Sequence, residues 1–216
     1  MNDDGTAPSL RGASHAIAVV FALLGTAFLL SRTHSTAEVV AVLVFGAAQT
    51  SSFLASALFH RVKWRTPGAK LIAKRVDHAM IFVTIAGGFT PLLALVPASS
   101  GGHLALVFMW LIALVGIGKS VFWPNPPMWL NALFYIVYGW MGAAPSFDRA
   151  AQTGMTAPLL VAASGAIYTV GGVVYALKWP DPVPTVFGYH EVFHLFVILG
   201  AATLFVHAAA VLAAVQ

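Results

Sequence analysis

Seven stretches of this sequence are almost free of charge, and each lies near the ~20 residues that carry an α-helix across ~30 Å of hydrocarbon. They run approximately over residues 13–30, 37–60, 77–96, 103–119, 128–144, 155–177 and 189–215. Of the 216 residues, 59% are hydrophobic and 8% charged, against about 25% charged in soluble domains. The chain therefore reads as an all-α polytopic membrane protein, a single seven-helix transmembrane bundle. The first run resembles a signal peptide superficially. Its acidic start (Asp3, Asp4) and its length argue for a membrane helix instead. Between the runs lie turn signals: Thr66-Pro67-Gly68, Ser99-Ser100-Gly101-Gly102, Pro124-Asn125-Pro126-Pro127 and Pro180-Asp181-Pro182. The fifth run is short and rich in glycine and aromatics. Trp123, Trp129, Trp140 and Trp179 fall near run ends, where interfacial belts form.

Basic residues set the expected orientation. Arg61, Lys63, Arg65, Lys70, Lys74 and Arg75 crowd the connection between the second and third runs, which the positive-inside rule places in the cytoplasm. Seven crossings then put Arg11, Lys119 and Lys178 on the same side, leaving Arg32 and Arg149 outside. The N-terminus is expected in the cytoplasm and the C-terminus outside. The formal charge of +4 thus reads as topology and contact with anionic lipid, with no nucleic-acid partner.

With that topology, three remote segments bring polar residues to the cytoplasmic end of the bundle. Ser56 and His60 lie one turn apart at the end of the second helix, and Asp77 and His78 open the third. His190 and His194 lie one turn apart at the start of the seventh. There is no cysteine, so a metal would be held by His, Asp or Glu. Three neutral imidazoles with an open fourth position form the zinc site of hydrolytic enzymes, and a nearby carboxylate would manage the proton of an activated water. The expected ligands are His60, His190 and His194 for Zn2+, with Asp77 on the water and Ser56 as polar support. Plainer readings exist: Asp77 as a helix N-cap, Ser56 as a packing residue, His60 as an interfacial histidine. His15, at the inner end of the first helix, reads first as interfacial, with a supporting place beside the metal ligands as the alternative. His207 is roughly 20 Å along the helix from His194 and belongs elsewhere. His34 and His103 are expected in solvent outside. His78 is rotated about 100° from Asp77, which argues against both entering one cavity. His190-Glu191-Val192-Phe193-His194 also matches H-E-x-x-H, in which Glu is the base of a metalloprotease. Asp77 already offers a base, and no later helix carries a further acidic motif.

Read together, Ser56-Ala57-Leu58-Phe59-His60, Asp77-His78-Ala79-Met80-Ile81, Ala86-Gly87-Gly88-Phe89-Thr90-Pro91, Gly171-Gly172-Val173-Val174-Tyr175-Ala176 and His190-Glu191-Val192-Phe193-His194 resemble the bacterial hemolysin III family. That family is related to the adiponectin and progestin receptors and more distantly to alkaline ceramidases. The resemblance implies a seven-helix bundle with zinc near the cytoplasmic face, held by His60, His190 and His194, with Asp77 and Ser56 around its water. It also implies hydrolysis of an amide-linked lipid of the ceramidase kind, and residence in the bacterial cytoplasmic membrane. One departure is visible: before the first helix, Arg11-Gly12-Ala13-Ser14-His15 keeps only the histidine of the family's acidic, Asn-containing motif. Two other functions fit the same residues. One is a metal-stabilised, non-enzymatic receptor-like or membrane-homeostasis protein, whose metal would take a fourth protein ligand. The other is a cytolysin, as the family name says, although a permanently inserted chain suits that role poorly.

Overall fold

The structure, a computed structural model, describes residues 8–98 and 103–216. The Ser99-Ser100-Gly101-Gly102 turn and the acidic Asp3-Asp4 start lie outside the described residues. Among the described residues nine helices follow in order: α1 Ala13–Leu30, α2 Thr36–Arg61, α3 Pro67–Leu95, α4 Leu104–Phe122, α5 Met128–Trp140, α6 Ala143–Asp148, α7 Ala150–Thr153, α8 Thr156–Leu177 and α9 Tyr189–Val215. Among the described residues the only β feature is an isolated bridge between Val183 and Phe187.

Six helices (α1, α2, α3, α4, α8 and α9) are long and apolar enough to cross a membrane. The fifth run differs from its expected form. At 13 residues, α5 spans only ~20 Å at ~1.5 Å per residue. Met141 and Gly142 then separate it from the six-residue α6. At this break Gly142 meets the Phe89 ring so closely that an added Cβ would lie 2.1 Å from it.

The start of α3 is also a correction. It begins at Pro67, not Asp77. Thr66 is extended and its hydroxyl accepts the Ala69 N–H at 3.1 Å, and Pro67 sits where a missing N–H costs nothing. Thr66-Pro67 is a helix-start signal here. Asp77 therefore lies inside α3, which removes its reading as an N-cap.

The most buried span is α3. It packs against α2, α4, α5 and α9, and its Phe82, Ala86, Phe89 and Leu93 form a core with Met109 and Ala113 of α4, Tyr138 of α5 and Val161 of α8. The close approach needs glycine: a Cβ on Gly87 would stand 2.3 Å from that of Ala48 on α2. A second core joins Leu29, Val42, Phe45, Leu204 and Leu212, tying α1 and α2 to α9. Outward faces are apolar instead of charged. Ile17, Phe21 and Leu24 on α1 and Phe108, Leu111 and Val115 on α4 are all exposed. A helix apolar on all sides suits lipid on one face and protein on the other.

A candidate metal centre at one end of the bundle

Two helix ends build the centre. The first turn of α9 is capped by two carboxylates. Glu191 accepts the N–H of Gly188 at 2.8 Å, and Asp181 accepts that of Tyr189 at 2.8 Å. Both place negative charge at the positive end of the helix dipole. This fixes the direction of α9 where it carries His190 and His194. The facing wall is the last two turns of α2, with Ser56 and His60.

His60, His190 and His194 come together, each offering one ring nitrogen within 4.8 Å of the others. Nε2 of His60 and Nε2 of His190 face each other at 3.2 Å. Ligands ~2.0–2.1 Å from a tetrahedral ion stand about 3.3 Å apart, so this pair already has the spacing of two ligands of one ion. His194 is 2% exposed. One buried and two half-buried imidazoles without a compensating carboxylate in their group are costly in an apolar protein, and a divalent ion would satisfy all three. The triad can hold a metal. No fourth His, Asp or Glu joins this group among the described residues.

Ser56 and Asp77 stand beside the triad on the wall of one cavity. Ser56 is buried and its hydroxyl lies within hydrogen-bonding reach of the Asp77 carboxyl. His78 lines the same cavity, contrary to the expectation from its 100° offset. The cavity is wide enough to reach from the Asp77 side of α3 around to α5, where the Tyr135 hydroxyl donates to the His78 carbonyl at 3.3 Å.

The cavity continues away from the triad, lined by His190 at one end of α9 and Leu204 toward the other. Those 14 residues span about 21 Å, roughly two-thirds of a hydrocarbon core. Its far part is walled mainly by Ile85, Phe89, Val161, Val197 and Leu204, with Ser164 and Tyr168 among them, and its near part by Ser52, Ser56, Asp77, Asn131, Tyr135 and Tyr175. The near end is thus the richer in polar groups and the far end mostly apolar.

Three further residues join the site. Asn131, 2% exposed, accepts from the Lys119 ammonium and lies within reach of both the Tyr135 and Tyr175 hydroxyls. Tyr175 meets His190 edge to face, with centroids 5.8 Å apart. An amide inside an apolar run is a visible signal, but its partners come from α4 and α8. His15 is the third: it is 5% exposed rather than interfacial, and its ring stacks on His194.

Other expectations resolve by position. Glu191 of the H-E-x-x-H match points away from the triad, pairing with Arg11 and capping α9. His207 contacts the Ala157 carbonyl at 3.1 Å, remote from the triad. His34 and His103 are exposed.

The fold and the centre define a class: an all-α, polytopic membrane protein with a histidine triad able to hold a metal between its second and last helices. The particular lineage follows from comparison. The profile of the family described as Haemolysin-III related matches residues 5–205, and the chain belongs to that family. It is 28% identical to the "Hemolysin-3 homolog" of Bacillus subtilis, over 89% of this chain and 88% of that protein. It is likewise 28% identical to the "Hemolysin-3" of Bacillus cereus, over 89% and 85%. The human "Monocyte to macrophage differentiation factor" is 26% identical over 88% of this chain and 77% of its own length.

Proposed function

We propose that this chain is a membrane-embedded zinc hydrolase that cleaves an amide-linked lipid from the cytoplasmic side. The observation that carries the reading is a three-imidazole group, two of whose members line the more polar end of a long, mostly apolar cavity. An acyl chain fits the apolar end, and the polar end then receives the amide. A single-chain lipid tail docked there would lie nearly parallel to α9.

In this reading His60, His190 and His194 hold Zn2+. The ion supplies Lewis acidity and acidifies water to a pKa of about 7. Asp77 accepts the proton that water gives up on attacking the amide carbon. It returns that proton to the departing nitrogen as the C–N bond breaks, so the products are a carboxylic acid and an amine. Ser56 donates its single O–H to the Asp77 carboxylate and holds it in place; once Asp77 has taken the proton, that hydroxyl is free to turn toward the carbonyl oxygen. Asn131 braces Tyr135 and Tyr175 on the opposite wall, where phenol hydroxyls meet the lipid's polar group.

The orientation belongs to the same reading. The basic cluster from Arg61 to Arg75 lies at the triad end of α2 and α3, which would put the centre at the inner leaflet of a bacterial cytoplasmic membrane, with the N-terminus inside. The C-terminus lies outside if α5 and α6 together make the seventh crossing. Membrane lipids are the partners; nucleic acid is not.

The decisive test is elemental analysis of detergent-purified protein beside the His60→Ala, His190→Ala and His194→Ala variants. About one zinc per chain in wild type, lost in each variant, is expected. Acyl-amide lipids should then be cleaved by wild type and not by Asp77→Ala. Absence of metal from wild type purified without chelator would overturn the reading.

A further inference from the structure

The segment before α1 is built into the metal centre. The Ser9 and Leu10 amides donate to the Thr185 and Val186 carbonyls at 3.0 and 3.1 Å, laying the segment along the approach to α9. Arg11 pairs with the buried Glu191. Gly12 takes the left-handed region at φ 75°, and a Cβ there would lie 2.7 Å from the Cβ of His60. Only glycine serves both demands. The turn delivers His15, 5% exposed, onto the ring of His194: the centroids are 3.8 Å apart and the planes 11° from parallel. Phe53 closes the other side at 5.1 Å.

A metal-bound histidine ordinarily has its second nitrogen held by a carboxylate, carbonyl or water, which fixes the ring plane. With Nε2 toward the ion, His194 lacks that support, since its Nδ1 has no hydrogen-bond partner among the described residues. His15 lies within reach of the His194 main chain but gives no nitrogen to its ring. The contact between the two side chains is face to face, and its natural effect is to block rotation of the His194 ring about its Cβ–Cγ bond.

We propose that His15 is a positioning residue for the metal centre, holding the ring plane of His194 by stacking in place of the usual hydrogen bond. The proposal rests on His60, His190 and His194 being metal ligands. It makes the N-terminal segment a working wall of the centre: Gly12 sets the turn, Arg11 anchors it, and His15 does the positioning.

The test compares His15→Phe, which keeps a flat ring, with His15→Leu, which keeps apolar volume without a plane. Metal affinity is read by competition with a chromophoric chelator. The absorption spectrum of cobalt-substituted protein reports ligand geometry, and thermal unfolding of metal-free protein reports packing. Loss of a supporting group around a metal ligand typically weakens affinity 10–100-fold. About tenfold weakening is expected for His15→Leu, with an altered cobalt spectrum, while His15→Phe stays within about twofold of wild type. Equal loss in both variants would show that a nitrogen of His15 is needed, overturning the stacking role. Unchanged affinity in both would overturn positioning altogether. If wild type binds metal while either of these results is obtained, the triad stands and only this inference falls. If wild type binds none, both fall together.

Discussion

Replacing Glu191 separates two readings of the same five residues. In the H-E-x-x-H reading Glu191 is a base, and Glu191→Gln would abolish turnover while leaving the fold intact. Its position argues for a different outcome. The carboxylate is 2% exposed, accepts the Gly188 N–H at 2.8 Å, and pairs with Arg11, whose side chain is 13% exposed. Breaking a buried pair by deleting one partner costs about 3–5 kcal/mol, and loss of an N-terminal cap about 1 kcal/mol. Arg11 retains some access to solvent, so Glu191→Ala should cost about 3–4 kcal/mol in total. Glutamine keeps one acceptor oxygen where Glu191 uses two, so its NH2 faces either the Gly188 N–H or the Arg11 guanidinium, and it should cost about 2–3 kcal/mol. Arg11→Ala in the Glu191→Ala background should cost little more, because the unpaired charge is removed, and a double-mutant cycle should give a coupling of about 2 kcal/mol. Unfolding by denaturant in detergent micelles, followed by far-UV circular dichroism, measures all four proteins, with zinc content beside it. Glu191→Gln should still carry zinc. Unchanged stability in Glu191→Ala, or a Glu191→Gln protein of wild-type stability that has lost only activity, would refute the reasoning.

Other outcomes follow from packing and charge. Gly116→Ala puts a Cβ 2.2 Å from the Phe82 ring and should cost about 1–3 kcal/mol; Gly118→Ala on the same helix meets nothing within 4 Å and should be neutral or slightly stabilising, both read as shifts in Tm. Arg149, 1% exposed, donates to the Val96 and Pro145 carbonyls at 2.8 and 2.9 Å. Its replacement by Ala strands both and should cost about 2–4 kcal/mol, seen as faster proteolysis between α5 and α8. A chelator should lower the Tm of wild type and leave that of His194→Ala unmoved, since a ligand that binds only the native state stabilises it by mass action. The natural chain has no cysteine, so single cysteines at Lys63 and His34 give clean labelling: a membrane-impermeant maleimide should reach the second from outside intact cells and the first only after lysis.

What the sequence made legible was set by spacing within one helix. His190 and His194 are i, i+4 neighbours, and so are Ser56 and His60. Once charge bias places two helix ends at the same membrane face, their meeting needs no further information. Features that depend on packing between remote segments were not legible. His15 looks like any interfacial histidine until its neighbour, 179 positions later in the chain, is known. Asn131 announces itself as polar, yet Lys119, Tyr135 and Tyr175 around it belong to three different helices. Thr66-Pro67-Gly68 carries signals for a turn and for a helix start alike. The local chemistry of the Thr66 hydroxyl, and not composition, decides for the helix. The fifth run was misjudged in length because Gly142, pressed against Phe89, interrupts it where hydropathy continues.

The two sides of the triad lie 130 residues apart along the chain. A nascent protein emerging from the membrane insertion machinery has only His60 in place until α9 has entered the bilayer and docked against α2. No intermediate lacking α9 can assemble the three-nitrogen group. If the group takes up a metal as proposed, that uptake would follow the docking of α9 on α2, and a chain stalled one helix short would hold none at this site.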